Sequence, residues 1–435
     1  MCIRDRDMGV FETLLEENEW FFTGASLDYA HWLNEYLAYQ PGIAAAQPSV
    51  SPTVFMEGGQ TVFRNTWDNA GGEQVYGLFQ GAAACDNHDH YDHLSFIIQA
   101  RNQMMASDSG YGPGGYHKAE RKEYNLRPWA HNTVMFDGKC LASEKENQTL
   151  PSRYRIDTDV FDFEEKEAVF AGQDDTQILY AKSITGRLRR SMAFPGQRYF
   201  IVLDQLEGTS SATAHLTLHG GKGTMTGEGR HRIWDYEEDS YGDPARMYAW
   251  ILSGNDELCD NLGNVVYSKN EEEKFPYVDL FVDGESMPMM EILVPARDGE
   301  PTPVLRDLSH GEVLAASLRL DGATDTFFLQ MSSTPSEGEG LASDGTFALV
   351  STVGGVPAYF MAKEATTLSW EGEEVFRAER PVTLVVEYGD TLEATFGSTG
   401  PNEITFACPD GMVVSAASHY EVALPVMEDR VLLGR

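Results

Sequence analysis

The densest group of ionisable side chains in the sequence is Asn87-His88-Asp89-His90-Tyr91-Asp92-His93, which places three of the eleven histidines within six positions. Imidazole and carboxylate bind divalent metals at neutral pH, and both also carry protons. The cluster runs into the strand-like stretch Leu94 to Ala100. If the extended conformation begins early, alternation turns His88, His90 and Asp92 to one side. A short turn at Arg101-Asn102-Gln103 and a return strand ending at Ser107-Asp108-Ser109-Gly110 form a hairpin that brings Asp108 back beside His90. His131 opens the next strand, Thr133 to Phe136. Two imidazoles and a carboxylate, with one position left for water, are an ordinary zinc set. The competing reading is a surface loop of histidines, a His131 satisfied by hydrogen bonds, and an Asp-Ser-Gly that only makes a turn.

The elements that must position these groups are β in character. After Pro48 the chain shows short alternating segments punctuated by Gly, Asn and Asp, among them Thr61 to Arg64, Gln74 to Phe79, Met104 to Ser107, Arg198 to Leu203, His215 to Leu218, Val278 to Val282 and Met290 to Val294. The pattern continues through Val382 to Tyr388 without alternating helices, so the expected fold is mainly β, with antiparallel sheets stacked as a sandwich. Ahead of it, Phe11 to Tyr39 has helical spacing, with Ser26 placed as a cap and Pro41-Gly42 as a stop. The division expected is 1–47 as a helical remnant of an upstream domain, 48–335 as the β-sandwich and 336–435 as a smaller C-terminal β domain. Asp235 to Pro244 and Ser332 to Asp344 are the polar linker candidates, the second being the better boundary.

Composition narrows the function classes. The net charge is -36, from 68 acidic and 32 basic residues, so the average surface repels nucleic acid and anionic membrane. Any polyanionic substrate then needs local cations. His117, Lys118, Arg121, Lys122 and Arg127 lie between two candidate ligands, and Arg187, Arg189 and Arg190 lie further on. The five cysteines are scattered (Cys2, Cys85, Cys140, Cys259, Cys408) and imply neither a disulfide framework nor a thiolate metal site. No apolar run is long enough to span a membrane, and the first residues lack the apolar core of a secretory signal.

Taken together, His88-x-His90-x-Asp92-x-x-Ser95-Phe96, Asp108-Ser109-Gly110-Tyr111 and Ala130-His131-Asn132-Thr133-Val134 with Asp137-Gly138 resemble the signature of the heparinase II/III family. Val62-Phe63-Arg64 with Trp67-Asp68, and Arg198 to Asp204, are similar too, so that the resemblance covers about residues 50 to 220. It implies a polysaccharide lyase with an N-terminal (α/α) toroid and a C-terminal β-sandwich, cleaving uronic-acid polysaccharides by β-elimination. It further implies that His90, Asp108 and His131 hold a mainly structural zinc, that His88 is catalytic or neutralises the substrate carboxylate, and that Tyr116 or Tyr124 is the acid/base, with Arg127 on the substrate. The expected partner is an acidic polysaccharide, with no nucleic acid and no membrane span; a homodimer is compatible. Periplasmic or secreted location follows from the family. Little of a toroid is present, so the chain is expected to be a fragment that lacks part of the catalytic set.

Three other readings fit some of these residues. His88-x-His90-x-Asp92-His93 matches the dinuclear motif of metallo-β-lactamase-like hydrolases, which requires a helix after the motif. His90-x-Asp92 plus His131 is a facial triad for non-haem iron. A non-catalytic carbohydrate-binding β module needs no base at all.

Overall fold

The computed structural model describes residues 48–435 except 83–89, 111–123, 137–148, 151, 171–185, 208–212, 238–241, 243, 255, 266–272, 284–285, 389–390, 399–401, 408–412, 419–428 and 435. The expected helices of 11–39, and with them the helical remnant 1–47, lie outside the described residues. Among the described residues there are strands and short 3-10 turns but no α-helix, and every named strand pairing is antiparallel. The mainly β expectation is met, and the helix required by the metallo-β-lactamase reading is absent where Phe96–Ala100 runs as a strand.

The first sheet is a meander of β1 (Val54–Phe55), β2 (Thr61–Arg64), β3 (Val75–Phe79), β4 (Phe96–Ala100) and β5 (Gln103–Ala106). β4 and β5 are joined by two residues, Arg101 and Asn102, both with positive φ (56° and 61°). That is the backbone of a tight hairpin whose twist matches its strands. Gln103, read from sequence as part of the turn, is the first residue of β5.

Further along come β6 (Val134–Phe136), β7 (Ser152–Ile156), β8 (Phe161–Phe170), β9 (Gly186–Pro195), β10 (Phe200–Glu207), β11 (Thr213–His219), β12 (Thr224–Glu228), β13 (His231–Tyr236), β14 (Ala245–Ser253), β15 (Asp256–Val265), β16 (Glu273–Asp283) and β17 (Ser286–Arg297). They form a four-stranded sheet of order β15-β16-β11-β6 and an eight-stranded sheet of order β12-β13-β14-β17-β10-β9-β8-β7. The remaining strands, from β18 (Val304–Asp307) to β29 (Asp429–Gly434), make a twelve-stranded sheet. Residue 335 lies within it, because β20 (Ala323–Leu329) pairs with β23 (Phe347–Val353).

The eight-stranded sheet is the middle layer. On one side Val202, Leu206, Met192, Met289 and Leu293 pack with Phe63, Phe79, Ile98, Leu216 and Leu280 of the two smaller sheets. On the other, Ile201, Leu203, Ile292 and Val294 pack with Phe327, Leu349 and Met361 of the twelve-stranded sheet. A sheet buried on both faces reads as a continuous apolar run rather than an alternating one, which is why Phe200-Ile201-Val202-Leu203 and Ile292 to Ala296 stand out in the sequence. Each such side chain contributes about 1.5–3 kcal/mol of burial. A polar residue in this layer is therefore tolerated only when its hydrogen bonds are made.

Candidate metal centre

His90, Asp108 and His131 converge. One ligand atom from each lies within 4.8 Å of the others, and the His90 and His131 rings are 5.2 Å apart between centroids. Among the described residues this is the one group of three or more metal-capable side chains so gathered; Asp92 and His93 do not join it.

Each ligand is placed by a local rule. Asp108 follows β5, whose end is clipped to the end of β11: Ala106 bridges Gly220, the Ser107 amide donates to the His219 carbonyl at 3.0 Å, and the Ser107 hydroxyl donates to the Gly220 carbonyl at 2.6 Å. Its Oδ1 accepts the Gly110 N–H at 2.8 Å, a turn closed by Gly110 at φ 62°. That leaves Oδ2 to face His131 Nδ1 at 2.5 Å. The turn reading and the ligand reading of Asp-Ser-Gly are thus the same structure.

His131 is fully buried. Its Nε2–H donates to the Asn125 carbonyl at 2.9 Å, and Asn125 is itself held by its Nδ2–H to the Ser109 carbonyl at 3.0 Å. A carbonyl can only accept, so Nε2 carries a proton; with no ion bound, the 2.5 Å approach of Nδ1 to the Asp108 carboxylate needs a second ring proton there, and a metal ligated by Nδ1 would replace it. A ligating histidine is oriented in just this way by its outer hydrogen bond. Partial burial opposes ionisation of Asp108, but the charge and hydrogen bond of His131, the Gly110 N–H and His90 hold its carboxyl down at about 2. Burial likewise works against a charged His131, and the Asp108 carboxylate outweighs it and raises the pKa. These donors suit a borderline divalent ion such as zinc.

His90 is placed differently from the expectation of an early strand. Ser95 N–H closes a turn on the Asp92 carbonyl at 2.9 Å, Leu94 has φ 60°, and β4 begins only at Phe96. The ligand comes from a turn ahead of the strand, so strict alternation is not what aims it. The Tyr91 amide on the Leu126 carbonyl (3.0 Å) and the Thr133 hydroxyl on the His93 carbonyl (2.7 Å) hold that turn against the His131 segment. His88 and Tyr116 lie outside the described residues. Tyr124 and Arg127 are half-buried on the segment leading to His131, with the Arg127 guanidinium 5.9 Å from the Trp129 ring centroid.

Two residues to which the sequence assigns no positioning role organise the centre. Asn132 donates through Nδ2 to the Phe96 and Ser107 carbonyls (2.9 and 3.1 Å) and accepts the His219 N–H at 2.7 Å, tying β4, β5 and β11 at the ligand strand ends. Arg190 is fully buried, pairs bidentately with Asp204 (2.7 Å twice), and donates Nη1 to the carbonyls of Leu94 and Asn132 at 2.8 and 3.0 Å. From sequence, Arg187, Arg189 and Arg190 were grouped as a cationic patch for a polyanion. Arg190 instead lies in the core, while Arg187 and Arg189 are paired with Glu167 and Glu207.

The family profile described as heparinase II/III-like, C-terminal, matches residues 48–275, just over half of the chain. Among solved structures, a heparinase III described as the BT4657 gene product superposes with a TM-score of 0.53 at 18% identity, covering 68% of this chain and 44% of that one. The heparan sulfate lyase HepC from Pedobacter heparinus gives 0.54 at 15% identity, covering 70% and 47%. Another heparinase III gives 0.51 at 12%, covering 66% and 43%. At these identities the likeness is one of fold, and the chain spans less than half the length of those proteins. No curated protein sequence matches the chain. By the extent of the profile match, the chain belongs to the heparinase II/III-like family, in the part that its C-terminal profile describes.

Proposed function

We propose that this protein acts in a polysaccharide lyase that cleaves uronic-acid-containing chains by β-elimination, with a zinc ion held by His90, Asp108 and His131. The observation that carries the reading is the convergence of those three ligands, with the His131 tautomer set by Asn125. The ion would fix the turn before β4, the end of β5 and the start of β6 relative to one another; its role is structural.

In the elimination, a base removes the proton on C5 of the uronate, the C4–O4 bond breaks, C4=C5 forms, and O4 leaves with a proton. The neighbouring carboxylate opposes the developing enolate until a cation or donor neutralises it. His88, two positions before a ligand, and Arg127 are assigned to that task. Burial, and then the Tyr277, Asp279 and Asp108 charges, push the Tyr124 hydroxyl up. A phenol so placed keeps its proton and suits the acid that protonates O4 better than the base. Tyr116 remains assigned as the other acid/base candidate. No helix among the described residues is long and apolar enough to cross a membrane. Export to the periplasm or beyond fits a polymer substrate.

The test is incubation with alginate, heparan sulfate, chondroitin and ulvan, following the ultraviolet absorbance of the unsaturated product, on this chain and on a version extended by an upstream helical domain. Product from at least one polymer is expected. Absence of product from all four with the extended protein contradicts the lyase reading.

A further inference from the structure

The stretch Val62-Phe63-Arg64 with Trp67-Asp68 has no part in the elimination. Phe63, Val75 and Phe79 face the core, so alternation turns Arg64, Tyr76 and Gln99 to the opposite face of the five-stranded sheet. Register sets these three side by side across β2, β3 and β4. The Arg64 guanidinium lies 4.7 Å from the Trp67 ring centroid and 5.3 Å from that of Tyr76. Ring faces are electron-rich and hold a cation at that range.

The clamp is fixed from the backbone up. The Arg64 N–H donates to the Thr53 hydroxyl at 3.2 Å, and that hydroxyl donates to the buried Asp162 side chain at 2.6 Å. The loop carrying Trp67 is closed on itself: Asn65 Oδ1 accepts the Val75 N–H at 2.8 Å, Asn65 Nδ2 donates to the Glu73 carbonyl at 3.1 Å, and Gln74 Nε2 donates to the Thr66 carbonyl at 2.8 Å. What the clamp lacks is an acid. Arg101, Arg153, Arg187, Arg189, Arg190 and Arg198 each have a carboxylate oxygen within 3.4 Å, in a chain with 68 acidic residues. Among the described residues Arg64 has no such partner: its Nε is enclosed without a hydrogen bond, burial draws its pKa down, and only Tyr76 draws it up. A half-buried guanidinium without a counter-charge bears a desolvation cost that nothing around it offsets. It also keeps its planar fork of donors unspent.

The geometry points to an oxyanion site at Arg64, where a carboxylate or sulfate is forked by the guanidinium, with the exposed Gln99 amide next in the row. It is separate from the metal centre. Tyr76 stands near the start of β3, whereas the Gln80 carbonyl, past its other end, accepts the Leu94 N–H of the ligand turn at 2.9 Å. Four residues of strand, roughly 13 Å, lie between them. The ligand's defining chemistry is a terminal oxyanion, borne on a sugar chain or free in solution. No elimination step enters the assignment, so it stands or falls apart from the lyase reading.

Calorimetry at one ionic strength, about 0.15 M, where screening within about 8 Å limits the protein's general repulsion, measures binding of an unsulfated uronate oligomer, of inorganic sulfate and of a neutral glucose oligomer. Wild type, Arg64→Gln and Arg64→Lys are compared, with Arg127 intact throughout, so that differences report on Arg64 alone. Arg64→Gln is expected to weaken binding of at least one of the two anions about tenfold and to leave the neutral oligomer unchanged. Arg64→Lys keeps the charge but loses the fork, and is expected to recover little. A loss confined to the oligomer assigns the site to a sugar-borne anion, and a loss confined to sulfate assigns it to a free one. Unchanged affinity for both anions in a folded Arg64→Gln overturns the site, as does an equal loss for the neutral oligomer or full recovery in Arg64→Lys. Should Arg64→Gln fail to fold, Arg64→Lys against the wild type decides by the same criterion.

Discussion

The two buried layers on either side of the eight-stranded sheet both contain charged side chains, and they use them for different ends. In the layer toward the metal centre, Arg190 spends two donors on Asp204 and its third on the backbone of Leu94 and Asn132, next to the ligand-bearing turns. In the layer toward the twelve-stranded sheet, Lys363 pairs with Glu165 and donates to Gln205 at 2.5 Å, while Arg153 bridges Glu165 and Glu364 at 2.7 and 2.8 Å. Those contacts run from sheet to sheet. The first set therefore aims loops, and the second fixes how the sheets sit on one another. Ion pairs of equal burial are not equal in consequence, because what matters is which groups are orphaned when one partner goes.

The sharpest way to break this comparison is Arg190→Met. It leaves Asp204 charged and buried and two carbonyls without donors, so the expected loss is about 3–5 kcal/mol in denaturant unfolding, together with weaker metal retention. A variant with full stability and full metal content would remove the distinction between the layers.

Next in size, with the opposite sign, is Glu291→Gln. Glu291 lies in the same layer as Arg190, 1% exposed, with no hydrogen-bond partner on either oxygen. Burial pushes its carboxyl up to about 8, against a lowering by Arg190 and a smaller rise from Asp204. The folded protein thus holds a proton that the unfolded chain releases above its ordinary 4.5. Stability falls as pH rises from 4.5 and the loss is complete above about 8. Glu291→Gln should be neutral near pH 4.5 and stabilising by on the order of 4 kcal/mol near pH 8. Unfolding curves at the two pH values check it, and a gain independent of pH would contradict it.

Smaller again is Lys363→Met. Glu165 keeps Arg153 and the Ser191 hydroxyl (3.0 Å) after the lysine is lost. A cost of about 1–2 kcal/mol is expected, with metal content unchanged. A metal loss like that of Arg190→Met would show that the two layers act as one.

Much of this was legible in the chain. The alternation after Pro48 marked the strands, and the spacing of His90, Asp108 and His131 marked three side chains that converge, because hairpin geometry converts separation in sequence into adjacency. The charged groups of the middle layer were not legible. Arg187-Leu188-Arg189-Arg190 reads as a basic run, and nothing local says that Arg190 meets Asp204 across β9 and β10 while Arg189 faces the other layer. The pairing of β11 with β16 was half visible: His-Leu-Thr-Leu-His alternates cleanly as a strand. Its partner strand lies some sixty residues on, a pairing that depends on topology rather than on local pattern. The approach of His90 to Asp108 and His131 has another cause than the one the sequence suggests, since the positive φ of Leu94 replaces the early strand expected to aim it.

The central claim is a single metal ion held by three separated ligands, with His88 outside its coordination. Metal content of the purified chain by mass spectrometry, for the wild type, His90→Ala and His88→Ala side by side, tests it most directly. The account predicts one zinc per chain in the wild type and in His88→Ala, and little or none in His90→Ala. Two metals per chain, iron in place of zinc, or equal loss in both variants would contradict it.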